Sequence, residues 1–425
     1  MMSVTETSKN MYRISEYNYC LDYNTEIKII FNTFSGAIVS MSSTEYSRFM
    51  DLSLCTDSEL ETFHSVGLII PKSNDTKRVI DFNRAAGVFS NKKHTYAILT
   101  TTECNARCFY CYEKGTPHYN MNIDVADKVS NFISSKSAEK SKIDVQWFGG
   151  EPLLNPTVID RIVCNLQQLS ITPSYSMITN GLLFDEKMLQ HSLKNNWAIE
   201  RVQITLDGDK KEYENRKQYV NVSNAFERVI ENISGLLKQS INVSVRLNYD
   251  VNNVDSIIRV IDTLGERFSA YKNFKCYVYP LFDIHEKTEL EQLEANKTLL
   301  KLWNILKNKN LYKVNLPLYR QTNCYACNAN SFVIHPSGDL FKCSMDLENK
   351  VGNVDSVIDK NNILLDWCDI NLSDKCHECI FLPLCQGGCT AGKLGIAHIN
   401  CFLEKNVIDD LLKMYYEEKI LNKAI

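Results

Sequence analysis

Three cysteines crowd one short stretch, Thr102-Glu103-Cys104-Asn105-Ala106-Arg107-Cys108-Phe109-Tyr110-Cys111-Tyr112. Three thiolates on one tight loop can hold three irons of a cubane cluster, and the fourth iron is then left without a protein ligand. Most protein-bound [4Fe–4S] clusters take four thiolates, so a three-cysteine loop offers an open iron to something else. Taken alone, the C-x3-C-x2-C spacing also suits half of a zinc site or three unrelated buried thiols. The apolar, β-prone run Tyr96-Ala97-Ile98-Leu99-Thr100 precedes the loop. The cysteines are therefore expected at the C-terminal end of a strand, where barrel enzymes carry their active sites.

A second concentration lies near the C-terminus, where nine of the sixteen cysteines fall between Cys324 and Cys401. They run Cys324-x2-Cys327, Gly338-x4-Cys343, then Cys376-x2-Cys379-x5-Cys385-x3-Cys389 and Cys401, with Cys368 set apart. Such clustering points to metal or cluster binding, and C-x2-C knuckles read alone suit a pair of zinc sites. Cys20, Cys55, Cys164, Cys276 and Cys368 are expected to be small buried hydrophobes.

The elements that must position these thiols alternate. From about Thr95 to Asp283, candidate strands Tyr96–Thr100, Val145–Phe148, Ser176–Thr179, Val202–Leu206, Val243–Leu247 and Cys276–Tyr279 are separated by amphipathic stretches such as Val158–Leu169 and Ala225–Leu237. Six β/α units imply a parallel sheet with right-handed crossovers, and they are too few to close an eight-stranded barrel. The fold class expected is α/β, a partial (β/α)6 TIM-like barrel. Motifs stand at several strand ends. Phe148-Gly149-Gly150-Glu151-Pro152 follows the second strand; its glycines let a ligand approach the backbone, and Glu151 can accept bonds from an ammonium group. Thr179-Asn180-Gly181 ends the third strand, and Leu206-Asp207-Gly208-x4-Tyr213-x2-Arg216 ends the fourth. Arg246 and Asn248 occupy alternate positions of the fifth and so share a face; they line the pocket, or Arg246 belongs to a surface ion pair.

Residues 1–90 read as a small α+β unit. Lys28-Ile29-Ile30-Phe31 and Ala37-Ile38-Val39 suggest a hairpin, one strand of which would be an edge. Ser42-x-x-Glu45 and Thr56-x-x-Glu59 are capping-box signals for helices through Leu52 and Val66, and Gly67 releases the chain into Leu68-Ile69-Ile70. Glu286 to Lys309 is charged and reads as a bridging helix. With 425 residues the chain suits two or three domains. A net charge of −4 gives no basic field for nucleic acid. There is no secretory signal and no run long enough to span a membrane, so a cytoplasmic location is expected, without disulfides.

The three-cysteine loop, with Tyr110 before its last cysteine, resembles the cluster motif of the radical S-adenosylmethionine (SAM) superfamily, and the resemblance covers roughly residues 95–405. In that family the open iron binds the amino and carboxylate groups of SAM, and one electron then yields a 5′-deoxyadenosyl radical. The resemblance makes Cys104, Cys108 and Cys111 the catalytic cluster ligands. It makes Tyr110, Gly149, Gly150, Glu151, Thr179, Asn180, Asp207, Arg216, Arg246 and Asn248 candidate SAM contacts, with Arg216 on the carboxylate. Tyr213 stands where members with an added cluster domain often have a histidine. The C-terminal part resembles the SPASM/twitch extension. It implies one auxiliary [4Fe–4S] cluster on Cys324, Cys327, Cys343 and Cys389, and a second on Cys376, Cys379, Cys385 and Cys401. Some members leave one iron of the first open, at the place of Cys324.

The domains expected are then 1–90 as a winged-helix-like peptide-recognition unit or a plain packing extension, 91–285 as the radical SAM core, 286–322 as a helical bridge and 323–425 as the SPASM domain. The function implied is maturation of a ribosomally made precursor peptide by a thioether or carbon–carbon crosslink. It needs three [4Fe–4S] clusters, SAM and a low-potential donor of flavodoxin or ferredoxin type. Two alternatives stand beside it. One is a sulfatase-maturing, formylglycine-making enzyme, whose members place an aspartate directly after the cysteine equivalent to Cys343, where this chain has Ser344. The other is a zinc-stabilised binding protein without catalysis.

Overall fold

The computed structural model describes residues 10–136, 141–281, 288–356, 362–396 and 401–421. It begins with β1 (Tyr12–Ile14) and an antiparallel sheet of β2 (Asn18–Asp22), β3 (Ile27–Asn32) and β4 (Ile38–Ser42). The expected hairpin is β3–β4, with Phe31 opposite Ile38. Lys28–Phe31 is not an edge, however: β2 pairs along its other side, with Cys20 opposite Ile30. The polar sequence Asn-Tyr-Cys-Leu-Asp of β2 hides it from any apolar pattern. Both capping boxes form, Ser42 with Glu45 on α1 (Ser43–Met50) and Thr56 with Glu59 on α2 (Asp57–Ser65). α1 stops before Leu52 because the Asp51 side chain caps a fresh 3-10 turn, Leu52–Leu54. β5 (Ile69–Pro71) then pairs antiparallel with β1. Ile30, Phe49, Leu60, Leu68 and Ile69 close a small core of their own.

α3 (Thr76–Val88) carries the chain out of this unit and into contact with the cysteine-rich segment. Its Arg84 is buried and donates to the carbonyls of Gln386 (2.7 Å), Asp369 (2.9 Å) and Ile370 (3.2 Å). The Ala329 N–H donates to the Val88 carbonyl at 2.8 Å. Any side chain at Gly87 would meet Gln321. Nearer the N-terminus, Thr33 donates its hydroxyl to the Ile380 carbonyl and Tyr19 to Asp409, each at 2.5 Å. A boundary drawn at residue 90 therefore cuts through packed and hydrogen-bonded surface.

The central layer is a sheet of nine strands among the described residues. Six of them form one parallel run: β6 (Lys93–Thr101), β7 (Lys142–Gly149), β8 (Ser174–Thr179), β9 (Ile199–Leu206), β10 (Asn242–Tyr249) and β11 (Phe274–Pro280). Each expected strand is present and extends by a few residues. α4 (Ile123–Lys136), α5 (Pro156–Gln168), α6 (Glu186–Lys194), α7 (Lys210–Lys217), α8 (Ala225–Lys238) and α9 (Val254–Phe268) connect them. Alternation sorts the strands' faces. Val202, Ile204 and Leu206 of β9 are buried, while Gln203 and Thr205 between them are partly open. α10 (Glu289–Asn308) buries Leu299, Leu302, Trp303 and Leu306 in the main core. It packs on α9 and β11, so it serves as one more outer helix of the barrel rather than as a bridge. Glu286, where the helix was expected to begin, lies outside the described residues.

The C-terminal segment continues the same sheet. β12 (Phe332–Ile334) lies parallel to β6, with Val333 opposite Ala97, and β13 (Asp339–Phe341) and β14 (Gly352–Asn353) follow antiparallel. Val333 and Phe341 pack with Ala97 and Leu99 of β6, joined by Phe148 and Tyr325. The cysteine-rich segment is thus built onto the strand that precedes the first cysteines.

Arg84→Leu should leave three carbonyls without their donor and cost on the order of 3 kcal/mol. Urea denaturation would measure this, and limited proteolysis should then cut first around residues 369–389.

Candidate active site

The cysteine loop starts where β6 ends, and its base is tied shut. Thr101 bridges Asn120 antiparallel. The Thr102 N–H donates to the Tyr119 carbonyl at 2.9 Å and the Met121 N–H to the Thr100 carbonyl at 3.0 Å. Asn155 spans the two strands of this base, donating to the carbonyls of Thr100 (3.0 Å) and Met121 (2.9 Å). Inside the loop, Cys111 N–H donates to the Cys108 carbonyl.

The end of β7 presses on the start of the loop. The Gly150 N–H donates to the Thr101 carbonyl (3.1 Å) and the Glu151 N–H to the Glu103 carbonyl (2.8 Å). A Cβ on Gly149 would collide with the Thr101 carbonyl, and one on Gly150 with that of Glu103. The expectation gave these glycines to a ligand; what lies against them is the loop's own backbone. Glu151 also differs from expectation. Its carboxylate is fully buried and accepts from the Thr179 hydroxyl (2.8 Å), the Asn180 N–H (2.9 Å) and the Leu153 N–H (3.2 Å). It ties the ends of β7 and β8 together, and burial pushes its carboxyl up to about 7. Asn180 in turn donates its side-chain amide to Asn105 of the loop at 2.7 Å.

The end of β9 and α7 grip the loop from the other side. Tyr110 donates its hydroxyl to Asp207 Oδ2 at 2.6 Å. Lys217, at the last position of α7, donates its ammonium to the Tyr110 oxygen at 2.9 Å and lies 3.2 Å from the same Asp207 oxygen. Tyr213 is buried, with its hydroxyl 2.7 Å from that of Tyr219. Arg216, expected on the SAM carboxylate, forks onto Asp250 (2.7 and 3.1 Å), pairs with Glu212 and lies over the Phe109 ring at 5.3 Å. Among the described residues Arg246 is in no surface ion pair. It stacks over Tyr279 at 4.1 Å and donates from Nε to Asn248 Oδ1 at 2.9 Å, and among the described residues no acid pairs with it. Lys217, Asn105 and Tyr219 were missed in sequence, because a lysine closing a strongly polar helix reads as solvated.

Burial pushes the Cys104 thiol up to about 11 and raises that of Cys111. Iron binding at the loop would therefore release protons. The C-terminal thiols sort into neighbourhoods. Cys343, pushed up to about 11 by burial, also feels Cys389 and Cys327, and it packs with Cys389 around Trp367 and Ala326. The Cys324–Cys327 hydrogen bond raises the first thiol and lowers the second. Cys385 is raised by burial and then by Cys401 and Cys379. Cys376 packs with Tyr17 and Ile80 of the N-terminal segment. Among the described residues no three Cys, His, Asp or Glu side chains are gathered so as to hold a metal ion. The first loop still fits an iron–sulfur group chemically. Its backbone is held from every side, and two buried carboxylate oxygens at it, Asp207 Oδ1 and Glu113 Oε1, lack a hydrogen-bond partner.

The structure thus sets three thiols at the end of the first strand of a parallel partial barrel. Residues 98–264 match the Radical SAM superfamily. A cysteine-type anaerobic sulfatase-maturating enzyme of Clostridium novyi (strain NT) is 21% identical over 340 residues, 69% of this chain and 86% of that protein. The solved structure of native anSMEcpe with bound AdoMet and Cp18Cys peptide aligns with a TM-score of 0.60 at 17% identity, over 78% of this chain and 99% of that one. Streptococcus suis SuiB aligns with a TM-score of 0.52 at 14% identity, over 88% of this chain and 95% of that one. The radical SAM match over residues 98–264 marks the chain as an enzyme and supports SAM and a [4Fe–4S] cluster as its cofactors. No helix among the described residues is long and apolar enough to cross a membrane.

Glu151 yields a pH prediction. Its folded-state value near 7 stands above the ordinary value of about 4.3, so the folded state holds the proton longer. Stability should be fully present below about pH 4.3 and fall as pH rises through about 7. Glu151→Gln should flatten that fall, as read from denaturant midpoints at mildly acid and mildly alkaline pH.

Proposed function

We propose that this enzyme matures a peptide, and that Cys104, Cys108 and Cys111 ligate the SAM-cleaving cluster. When bound, the cluster and SAM supply a carbon-centred radical able to take hydrogen from an unactivated position, chemistry that the cofactor carries and the protein directs. The chain's own residues orient and enclose. Tyr110, Asn180, Asp207 and Glu151 frame the loop, while Arg246 and Asn248 present polar groups from β10 inside the barrel. Arg246, stacked and without an acid partner among the described residues, is better placed to meet a carboxylate than Arg216, which two acids already hold.

Two auxiliary clusters belong to this reading. The neighbourhood of Cys324, Cys327, Cys343 and Cys389, and that of Cys379, Cys385 and Cys401 beside Cys376, support the two ligand sets. The N-terminal sheet supports a precursor peptide as substrate. Among the described residues β4 pairs on one side only, so it has backbone groups for an added strand, which would bring affinity from the main chain and specificity from alternate side chains. The solved anSMEcpe structure holds a peptide together with AdoMet, in keeping with a peptide substrate here.

Sulfatase maturation is the second reading, favoured by the Clostridium novyi relative. Against it stands the residue after Cys343, which is Ser344. The next acid, Asp346, is buried and bonded to Asn349 at 2.7 Å. The observation that carries the crosslinking reading is the three-stranded N-terminal unit joined through α3 to the cysteine-rich segment.

The test is anaerobic incubation with SAM and reductant. A peptide from a small open reading frame beside the gene should lose a pair of hydrogens by mass spectrometry, while a sulfatase-type Cys or Ser peptide stays unchanged. Rapid conversion of the latter to the aldehyde would promote the second reading. For the loop itself, Cys104→Ala, Cys108→Ala and Cys111→Ala combined should abolish 5′-deoxyadenosine formation. Iron should fall from about twelve per chain by about one cluster's worth. Full retention of SAM cleavage would end that assignment.

A further inference from the structure

The residue that joins Tyr110, Asp207 and Arg107 to one another is one that no motif names. Lys210 and Lys211 open α7 in solvent, but the Lys217 side chain at its close is 5% exposed, beside an Asp207 side chain that is fully buried. A buried ammonium is costly unless it is paired and hydrogen-bonded. Here the partners are Asp207 and the Tyr110 oxygen. The Tyr110 hydroxyl both donates to Asp207 and accepts from Lys217, so the three groups lock one another in a single arrangement.

The backbone at this position acts on the same loop. The last carbonyls of a helix have no partner within it. That of Lys217 accepts the Arg107 N–H at 2.8 Å, immediately before Cys108. Gln218 then turns the chain through the left-handed region, at φ 48°. This turn brings the Val220 N–H to the Asn105 carbonyl at 3.0 Å. Segment 217–220 thus touches the loop at Asn105, Arg107 and Tyr110, positions interleaved with all three cysteines.

We propose that Lys217 is a positioning residue for the three-cysteine loop: through Tyr110 and Asp207 on its side chain, and Arg107 on its carbonyl, it sets where the thiols stand above the strand ends. An apolar side chain could fill the same volume. It could not hold the Tyr110 hydroxyl, and replacing Lys217 alone would leave Asp207 buried without its cation. Replacing both charged groups with neutral ones of similar size removes that complication, because buried ion pairs often exchange for apolar groups without loss of fold.

The proposal rests on the reading of the loop as cluster ligands, and the test separates the two. Wild type, Tyr110→Phe and the double variant Asp207→Asn/Lys217→Met are reconstituted anaerobically as full chains. The readouts are iron content, the EPR signal of the reduced SAM-cleaving cluster with and without added SAM, and KM against kcat for uncoupled SAM cleavage. Both variants should keep their auxiliary iron. The EPR response to SAM should be altered in both, and KM for SAM should rise about tenfold in the double variant, as for one lost charge-assisted hydrogen bond, with kcat changed less. EPR and KM unchanged in both variants would overturn the proposal. Loss of auxiliary iron in both, the mark of a merely structural role, would overturn it too. A wild type that loads no iron at the loop would instead sink the ligand reading.

Discussion

A loop that carries three cysteines within eight residues cannot rely on its own sequence for shape. It has no regular hydrogen-bond ladder of its own. Here the constraint is met by backbone hydrogen bonds from outside. Gly150 and Glu151, just after β7, reach the carbonyls of Thr101 and Glu103, and Lys217 and Val220 reach Arg107 and Asn105. Because the supporting strands lie side by side in one parallel sheet, their C-terminal ends converge on the same place, as barrels generally arrange. The need for contact at backbone distance explains Gly149 and Gly150 directly, since any Cβ there would enter the loop's carbonyls.

Buried charge is the second theme. Glu151, Asp207 and Lys217 are all buried close to the loop, where an unpaired charge would be expensive. Each is answered locally: Glu151 by donors from Thr179, Asn180 and Leu153, Lys217 and Asp207 by each other and Tyr110. Paired and hydrogen-bonded, they fix geometry while leaving the one-electron chemistry to the cofactor. Arg216 fits the same pattern. Its fork is consumed by Asp250 and Glu212, so it holds α7 in place instead of reaching into the barrel.

The cysteine-rich segment is not a separate bead on the chain. β12 extends the barrel sheet beside β6, and Tyr325, Phe341 and Phe148 pack with the residues of β6 that lead into the loop. α3 brings the N-terminal unit against the same segment through Arg84. An event at any one of the three parts is therefore mechanically close to the others. The physical reason is that short, cysteine-rich connections bury little apolar surface by themselves and must borrow a neighbour's.

The sequence by itself determined the barrel. Its helices and strands have long, clean periodicities, and all six parallel strands were readable from apolar runs such as Tyr96–Thr100 and Val243–Leu247. Capping boxes at Ser42 and Thr56 were readable because they are local, and the cysteine loop because its spacing carries the chemistry. Only the tertiary structure decided the partners. That β2 covers one side of β3, that Arg216 is spent on two acids, and that Lys217 lies buried under Tyr110 all depend on residues far apart in the chain meeting. A lysine or arginine at the end of a polar helix looks the same in sequence whether it faces water or a buried carboxylate. The difference between them is desolvation, and that exists only once the chain has folded around it.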